Sequence, residues 1–309
     1  MAINRANIAK ELLPGLNAVF GLEYNDVSAE HTVLFDIEKS DRAFEEEVLF
    51  TGFGTAPVKT EGAAVQFDDA REGYTARYTN ETVALAFAVT EEAMEDNLYD
   101  TFAKLRARGL ARSMANTKQV KGADIFNNGF NANFTGGDGV SLFSAAHPTS
   151  HAGNQSNTFG ATDLSEASLE AGLIQIAKAK DDRGILIGIT AESMHVPPDL
   201  NFVADQILNS TLSTTTAANG GNGITNTNDI NALRTQGVVP KGYFVNHRFT
   251  DVDAWFLRTD CPNGAKMFDR VPLQTKMEPD FDTGNLRFKA RERFSFGWSD
   301  WRGYYGSSG

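Results

Sequence analysis

The chain has 309 residues, 41% of them hydrophobic and 10% aromatic, so it can bury a sizeable core and is not a disordered protein. The formal net charge of −12 disfavours a surface that grips nucleic acid, because neutralising phosphates needs a surplus of lysine and arginine. A single cysteine excludes an internal disulfide and favours synthesis in a reducing cytosol, and the apolar runs are too short to cross a membrane.

The first 50 residues are acidic, with ten aspartates and glutamates against four lysines and arginines. Their apolar residues show little periodicity beyond a short helix predicted near Ala6–Leu13, which Pro14 and Gly15 should end. This composition predicts an arm rather than part of a core.

Residues 52–89 carry the period-two pattern that is typical of strands. Val65 and Phe67 alternate on one predicted strand, a polar turn follows at 68–73, and residues 74–78 would return as its partner. Strand signals continue through residues 83–89. Because a two-stranded hairpin is at best marginally stable alone, we expect this one to pack against another surface.

The period changes to that of a helix at Thr90, which is a suitable N-cap with acidic residues in the turn that follows. The apolar residues at helical spacing are Met94, Leu98, Phe102 and Leu105. The pattern predicts a helix over about 90–121, roughly 45 Å long at 1.5 Å per residue. Globular domains seldom need so long a helix.

Beyond a loop rich in asparagine and glycine, residues 160–235 form a distinct insert of helices and short strands. A helix predicted over Leu164–Lys180 has two apolar stripes, one of them with Ala167, Ala171 and Ile174, so it should be covered on two sides. The remaining predicted elements are strands at 185–190, 194–196 and 238–245, a helix after Asp199, a mobile loop at 210–229 and a helical turn at 250–257.

The strongest pattern lies near the C-terminal end, where residues 286–298 alternate between an apolar side and a cationic side. Glu292 alone interrupts the apolar side. A strand of about a dozen residues is twice the usual length. Its cations need acidic partners, either on a neighbouring strand of the same chain or on another copy.

Candidate metal and catalytic residues are few. His147 and His151 are four residues apart, but Pro148 between them prevents the helix that such a metal pair needs, so neither a metal nor a cofactor is predicted. Ser144 with His147 leaves a serine hydrolase as an alternative function, although no Gly-x-Ser-x-Gly elbow is present.

Tryptophan and cysteine are two further residue types that can carry chemistry. Trp298 and Trp301 could stack a sugar, which leaves a tail or decoration protein that binds carbohydrate as a second alternative. Cys261 is a poor nucleophile, because Asp260 beside it would raise the pKa of its thiol.

Several short segments stand out when they are taken in chain order. They are TEE at 90–92 with DNLY at 96–99, LFSAAHP at 142–148, VPPDL at 196–200, NDIN at 228–231, DAWFL at 253–257 and FGWSDWRG at 296–303. Together, over about residues 50–309, they resemble the major capsid proteins of tailed bacteriophages, which share the Hong Kong 97 fold. More narrowly, they resemble the major head subunits of Mu-like phages.

The resemblance implies an α+β fold of the Hong Kong 97 type, built from an arm, a loop, a peripheral domain and an axial domain. The implied parts are an N-terminal arm at 1–50, an extended β-hairpin loop at 51–89, a peripheral domain at 90–160 with its spine helix at 90–121, an axial domain at 161–260, and closing strands of the peripheral domain at 261–309.

The implied function is structural and not enzymatic. The chain would be a major capsid protein of the virion, whose pentamers and hexamers form an icosahedral shell around double-stranded phage DNA after assembly in the bacterial cytoplasm. Because the chain starts almost directly with the arm, we expect a separate scaffolding protein as a partner, besides a portal. A cement or decoration protein is an option that the sequence leaves open.

Charged residues of the hairpin and of the last strand are the predicted inter-subunit contacts. They are Lys59, Glu61, Asp68, Asp69, Arg71, Glu72, Arg77, Arg287, Lys289, Arg291 and Arg293.

Overall fold

The computed structural model describes residues 5–69, 71–90, 92, 99–149, 151–217, 225–280 and 283–309. Its helices are α1 (Arg5–Asp26), α2 (His31–Leu34), α3 (Tyr99–Asn127), α4 (Glu166–Ala177), α5 (Asn201–Asn209) and α6 (Ala232–Gln236). Its strands are β1 (Asp36–Lys39), β2 (Phe44–Phe50), β3 (Glu72–Thr79), β4 (Glu81–Val89), β5 (Ala191–Val196), β6 (Leu212–Ala217), β7 (Thr225–Ile230), β8 (Tyr243–Val245), β9 (Trp255–Thr259), β10 (Ala265–Pro279), β11 (Leu286–Trp298) and β12 (Tyr304–Ser307). The predicted α+β class is confirmed.

A four-stranded sheet in the order β1-β10-β11-β4 supports the larger part of the molecule. β11 spans the residues predicted for the long terminal strand, and it pairs antiparallel with β10 on one side and β4 on the other. Along residues 286–292 its side chains alternate between buried and exposed. One face of this sheet is therefore covered and the other is open.

Helices α1 and α3 cover the buried face of this sheet. Leu16 and Phe20 of α1 pack with a row of small residues on α3 and with Phe288 of β11. The prediction that residues 1–50 form an arm outside the core is therefore wrong for α1, and so is the prediction that Pro14 ends the helix. The apolar face that Leu16 and Phe20 present four residues apart gains enough from packing to outweigh the missing amide of Pro14.

The long helix α3 ends later than predicted, at Asn127 instead of about residue 121. Most of the turn after the predicted N-cap Thr90, and the predicted core residues Met94 and Leu98, fall on 91 and 93–98, outside the described residues. Leu105, which was predicted to be buried, is 63% exposed, and the covered side is instead formed by Ala103, Ala107 and Ala111. Small side chains allow the helix to lie close to α1 and to the sheet, and a pattern search for large apolar residues overlooks them.

The predicted pairing of residues 65–67 with 74–78 is wrong. β3 pairs antiparallel with β2 instead, from Phe44 opposite Thr79 to Phe50 opposite Glu72. Val65 and Phe67 have no strand partner in the described part of the chain, and residues 51–71 become a long connection between β2 and β3. β2 pairs with β3 in a register that places Glu46 opposite Arg77, and such a cross-strand pair of opposite charges is favourable.

The insert has its own sheet, in the order β12-β9-β5-β8, with α4 and α5 packed on it. Its core includes Leu169 and Ile176 of α4, Ala204 of α5 and the fully buried Trp255. Both helices lie where the sequence predicts them, and Ser165 caps α4 through a reciprocal pair of hydrogen bonds with Ser168.

Three predictions in the insert are wrong. Residues 185–190 form no strand and are mostly exposed, and the predicted helical turn at 250–257 gives way to β9. Alternate residues of β9 pack in the two cores on either side of it, so its continuous run of apolar residues is that of a buried strand. The predicted loop at 210–229 contains β6 and β7, which pair antiparallel.

Glu292, the residue that interrupts the apolar side of β11, is a buried link between three elements. Its carboxylate lies 3.7 Å from Lys118 Nζ of α3 and accepts a 3.2 Å hydrogen bond from the Tyr24 hydroxyl of α1. Its other oxygen, Oε1, has no hydrogen-bond partner among the described residues. Burial raises the pKa of Glu292, and Lys118 opposes that shift.

Removing one member of the Lys118–Glu292 pair should therefore cost more stability than removing both charges. We expect Lys118→Met to lower the free energy of unfolding by about 3 kcal/mol, because it leaves the Glu292 carboxylate buried without its cation. Adding Glu292→Gln to Lys118→Met should restore part of that loss. Urea unfolding of the wild type, both single variants and the double variant measures the coupling; additive effects would contradict the pairing.

A second buried titratable group, His195 of β5, makes the stability of the insert sensitive to acid. Burial, with a smaller contribution from Arg258, lowers the pKa of His195 from 6.5 to about 3. Between these values only the unfolded chain takes up the proton, so the free energy of unfolding should fall with decreasing pH by up to ~1.4 kcal/mol per unit.

Replacement of His195 by glutamine should remove this contribution and flatten the dependence of stability on pH between 6.5 and 3. Urea unfolding at pH 7, 6 and 5 measures it. His151→Gln is the matched control, because His151 is exposed. Equal slopes for the wild type and His195→Gln would show that the buried ring does not titrate as described.

Candidate functional site

The connection between β2 and β3, residues 51–71, is the most exposed apolar segment of the chain. We call it the loop segment. Val58 and Phe67 are 95% and 98% exposed, and Phe53 and Val65 are also largely exposed. Apolar side chains in such a row are unusual on a surface that faces only water.

Both ends of the loop segment are held firmly. The Thr51 amide donates to Arg71 O, and Thr51 Oγ1 both donates to Arg71 O and accepts a hydrogen bond from the Arg71 amide. Asp68 Oδ2 accepts a 2.7 Å hydrogen bond from the Gly54 amide, which lowers the pKa of Asp68. The ends are therefore fixed while the apolar residues between them project outward.

Arg183, from the insert, completes the fixation of both ends. Its guanidinium donates to Gly52 O at 3.2 Å, to Asp69 O at 2.6 Å and to Asp68 Oδ1 at 3.2 Å. Asp68 and Asp69, predicted as inter-subunit contacts, thus contact their own chain. Arg183 itself gave no sequence signal, because its partners are more than a hundred residues away.

The other predicted contacts near the loop segment divide into two groups. Arg77 lies 3.8 Å from Glu46 and 3.9 Å from the centre of the Phe44 ring, so it contacts β2 of its own chain. Lys59, Glu61, Arg71 and Glu72 are exposed, and their side chains have no ion-pair partner among the described residues. These four side chains remain available to another molecule.

A buried polar cluster fixes the ribbon of β2 and β3 on the large sheet. Lys266 of β10 lies 2.9 Å from Glu38 and 2.5 Å from Glu47, and Ser299 donates to the same Glu47. Burial alone would lower the pKa of Lys266, but the two glutamates outweigh it and raise that pKa. The loop segment therefore extends from a rigid base.

The open face of the large sheet carries the four cations of β11, and we call it the cationic face. Arg287 pairs with Asp280 at 2.6 Å, and Arg293 is half-buried. Lys289 stands directly opposite Lys276 of β10, whose ammonium pairs with Glu278. The sequence left open whether the acids that neutralise these cations belong to the same chain or to another copy. For Arg287 the acid belongs to the same chain.

Lys289 and Arg291 are the exposed, unneutralised part of the cationic face; the half-buried Arg293 also has no ion-pair partner among the described residues. In the described part of the chain no carboxylate lies within 4 Å of either side chain. On the adjacent strand they are flanked by Ala86 and Ala84, both exposed. Two free cations beside a flat row of small apolar residues suit a partner that brings both an acid and apolar side chains.

The serine hydrolase alternative fails on the geometry of His147, which is completely buried. Its Nδ1 lies 2.6 Å from Asp138 Oδ2 and its Nε2 lies 3.0 Å from Asn157 Oδ1. The Asn157 amide nitrogen donates to three backbone carbonyls, which fixes its oxygen toward His147. Both ring nitrogens are therefore occupied by partners within the fold, and no hydrogen bond joins either of them to the Ser144 hydroxyl.

The remaining candidates for chemistry are also structural. Trp301 is 1% exposed and stacks between His147 and Arg302, so no sugar can reach its faces. Burial, helped by Asp300, raises the pKa of the Cys261 thiol, which disfavours the thiolate. Among the described residues no group of three or more histidine, cysteine, aspartate or glutamate side chains could hold a metal ion. No helix in the same part of the chain is long and apolar enough to cross a membrane.

A family comparison decides the class of protein. Residues 73–307 match the model of the phage capsid protein family. The chain belongs to that family. It is a structural protein of the virion and not an enzyme, and proteins of this family act by associating into shells.

Solved structures of low sequence identity share the fold of this capsid protein. It is similar to the capsid chain of an empty GTA particle, with a TM-score of 0.55, 11% identity, and coverage of 90% of this chain and 88% of that chain. It is similar to a virus-like particle from Pyrococcus furiosus, with a TM-score of 0.53, 8% identity, and coverage of 96% and 99%.

A third similar chain is from Microbacterium phage Oxtober96, with a TM-score of 0.51, 12% identity, and coverage of 91% and 90%. The Hong Kong 97-type fold that the sequence predicts is thereby confirmed. No match emerged from a comparison with curated proteins.

The three contacts of Arg183 generate a prediction for the capsid protein. Arg183→Ala should speed amide hydrogen exchange of the Thr51, Gly54 and Arg71 amides at least tenfold, because hydrogen bonds to charged groups contribute about 1.5–3 kcal/mol each. Global stability should change little. Lys59→Ala is the control, since Lys59 has no ion-pair partner among the described residues; unchanged exchange in Arg183→Ala would mean that Thr51 and Asp68 suffice.

Proposed function

We propose that this capsid protein is the major head subunit, and that its pentamers and hexamers form an icosahedral shell around double-stranded DNA. The observation that carries the proposal is the loop segment, a rigidly based projection whose apolar side chains are not covered by any of the residues that the structure describes. A similar chain occurs in a particle described with C5 symmetry, which supports five-fold rings. The segments quoted above favour the Mu-like subfamily.

The loop segment of one subunit would lie on the cationic face of a neighbour. Val58, Val65 and Phe67 would cover Ala84, Ala86 and the aliphatic stems of the neighbouring lysine and arginine side chains. Glu61 is the one acid in the projecting part of the segment, and it would neutralise Lys289 or Arg291. The contact would cover the apolar side chains of the loop segment and supply a carboxylate to the cationic face.

The proposed division of the subunit follows the two sheets. The large sheet and α3 draw mainly on residues 90–160 and 261–309, which supports a peripheral domain made of both segments. The insert sheet draws mainly on 161–260, which supports an axial domain. Residues 51–89 would be the extended loop, although β4 pairs with β11 in the large sheet. Residues 1–50 would be the arm, although α1 packs in the core of its own chain.

The other partners are proposed from chemistry and resemblance. The net charge of −12 would prevent packaged DNA from adhering to the shell, so the DNA would be enclosed without sequence-specific binding. A separate scaffolding protein and a portal would assist assembly, and a cement protein is an option. A single, partly buried cysteine supports assembly in the reducing cytoplasm of the bacterial host.

The contact between loop segment and cationic face can be tested by charge reversal. Arg291→Glu should lower the yield of sedimenting particles at least tenfold when the chain is produced with its scaffold. It should leave the free energy of unfolding unchanged, because Arg291 has no ion pair with any described residue. Combining it with Glu61→Lys should recover particles.

Lys39→Glu changes the net charge equally at another exposed cation and is the control. Particles at the wild-type yield from Arg291→Glu would contradict the contact. Wild-type chains that remain monomers or dimers in the presence of the scaffold would contradict the proposed function itself.

A further inference from the structure

The outer side of α4 remains uncovered, although the sequence predicts cover on both sides of this helix. Ile174 is 54% exposed, and Ala167 and Ala171 on the same side are also exposed. Beside them lies a groove of about 400 Å³ whose walls include Ala171, Ile174 and Tyr305. We call Ile174 and this groove the α4 patch.

Two lysines border the α4 patch. Lys178 and Lys180 both line the groove, both are exposed, and neither has a carboxylate within ion-pair distance in the part of the chain that the structure describes. The patch is therefore an apolar depression with a positive rim.

A complementary surface lies on α5. Phe202 is 82% exposed, an unusual position for a large aromatic side chain at the start of a surface helix. Asp199 and Asp205 flank it, and neither has a cation within ion-pair distance among the described residues. We call these three residues the α5 patch: an apolar projection with a negative rim.

The two patches lie toward opposite edges of the insert sheet. α4 packs on residues 156–159, which run beside the edge strand β12, through hydrogen bonds from Gln175 to Ser156 O and Thr158 O. α5 lies beside β8 at the other edge, where the Tyr243 hydroxyl is 3.5 Å from Asp205. One copy cannot close the contact on itself, but two neighbouring copies can form it side by side.

We infer that the α5 patch of one subunit docks in the α4 patch of the next, with Phe202 in the groove and Asp199 and Asp205 facing Lys178 and Lys180. A contact between two different surfaces of identical subunits is heterologous, and it generates a closed ring when the rotation between copies divides a full turn. The inference rests on the proposed function and names the residues that would hold a pentamer or hexamer around its axis.

The energetics of this docking suit one contact among several. A single buried aromatic anchor is the usual centre of an interface, while exposed charge pairs contribute little affinity and mainly select the partner and its orientation. The charges also oppose like-to-like pairing, because two α4 patches or two α5 patches would repel. The surface chemistry therefore favours head-to-tail rings over symmetric dimers.

Cysteine cross-linking tests the docking directly. In a Cys261→Ser background, Ile174→Cys and Phe202→Cys in the same chain should give, under a mild oxidant, a ladder of covalent oligomers that ends at the size of the ring. Either single cysteine alone should give at most dimers. A mixture of the two single variants should give heterodimers across the two cysteines.

Charge reversal provides a second measurement. Lys178→Glu/Lys180→Glu should lower the yield of rings and particles at least tenfold, and so should Asp199→Lys/Asp205→Lys, while the four changes combined should recover assembly. Phe134→Ala, which truncates an exposed phenylalanine outside both patches, is the control for cross-linking: adding it to the double-cysteine chain should leave the ladder intact.

The outcomes separate this inference from the proposed function. Particles that form normally while the double-cysteine chain gives no ladder would overturn the docking and leave the capsid subunit unaffected. Absence of particles from the wild-type chain made with its scaffold would overturn the proposed function. Cross-linked dimers without longer oligomers would show a symmetric contact and would also overturn the ring.

Discussion

The rest of the molecule depends on the pairing of β11 with a strand on each side. Hydrogen bonds to β10 and β4 hold its backbone nearly from end to end, and the alternation of its side chains commits one face to α1 and α3. Helices cover only one face of the sheet that this strand builds. The second face is covered by the ribbon of β2 and β3 only around Phe268 and Ser299, and the chemistry of its uncovered part decides what other molecules can lie there.

Buried polar groups set the angles between the parts that this sheet brings together. Glu292 links β11 to α1 and α3, Lys266 links the ribbon of β2 and β3 to the large sheet, and Arg302 bridges Asp182 and Asp300 beneath the insert. Such groups add little net stability compared with apolar residues of similar size. Each of them, however, is satisfied in only one relative arrangement of its elements, so together they favour a single shape of subunit.

How much of the fold the sequence predicts depends on how local the deciding interaction is. β11 follows from its own alternation, and α4 from its own apolar residues at helical spacing, so both are found where they are predicted. The partner of β3 is decided between two distant candidates, and the sequence pattern of Val65 and Phe67 does not reveal that β2 fits better. The buried side of α3 is only partly predicted, because Ala103, Ala107 and Ala111 form much of it beside Leu110 and Met114.

In the candidate site, too, the sequence predicts the features that local residues decide and misses those that distant residues decide. The alternation of β11 identifies the cationic face, but it does not show that a turn brings Asp280 to Arg287 and leaves Lys289 and Arg291 free. Asp68 was predicted as an inter-subunit contact, and its partner Arg183 lies 115 residues away in the chain. A charged residue can be assigned to an interface only when its own chain has been shown not to satisfy it.

Weak, well-placed contacts suit a protein that must close a shell. The loop segment and the two insert patches lie on different parts of the subunit, so a copy held at one of them meets the other at a high effective concentration. Each contact can then be weak enough to break and reform, while a subunit with all its neighbours is held by their sum. Charges placed beside the apolar anchors serve this arrangement well, because they reject a wrong orientation and add little to the strength of a right one.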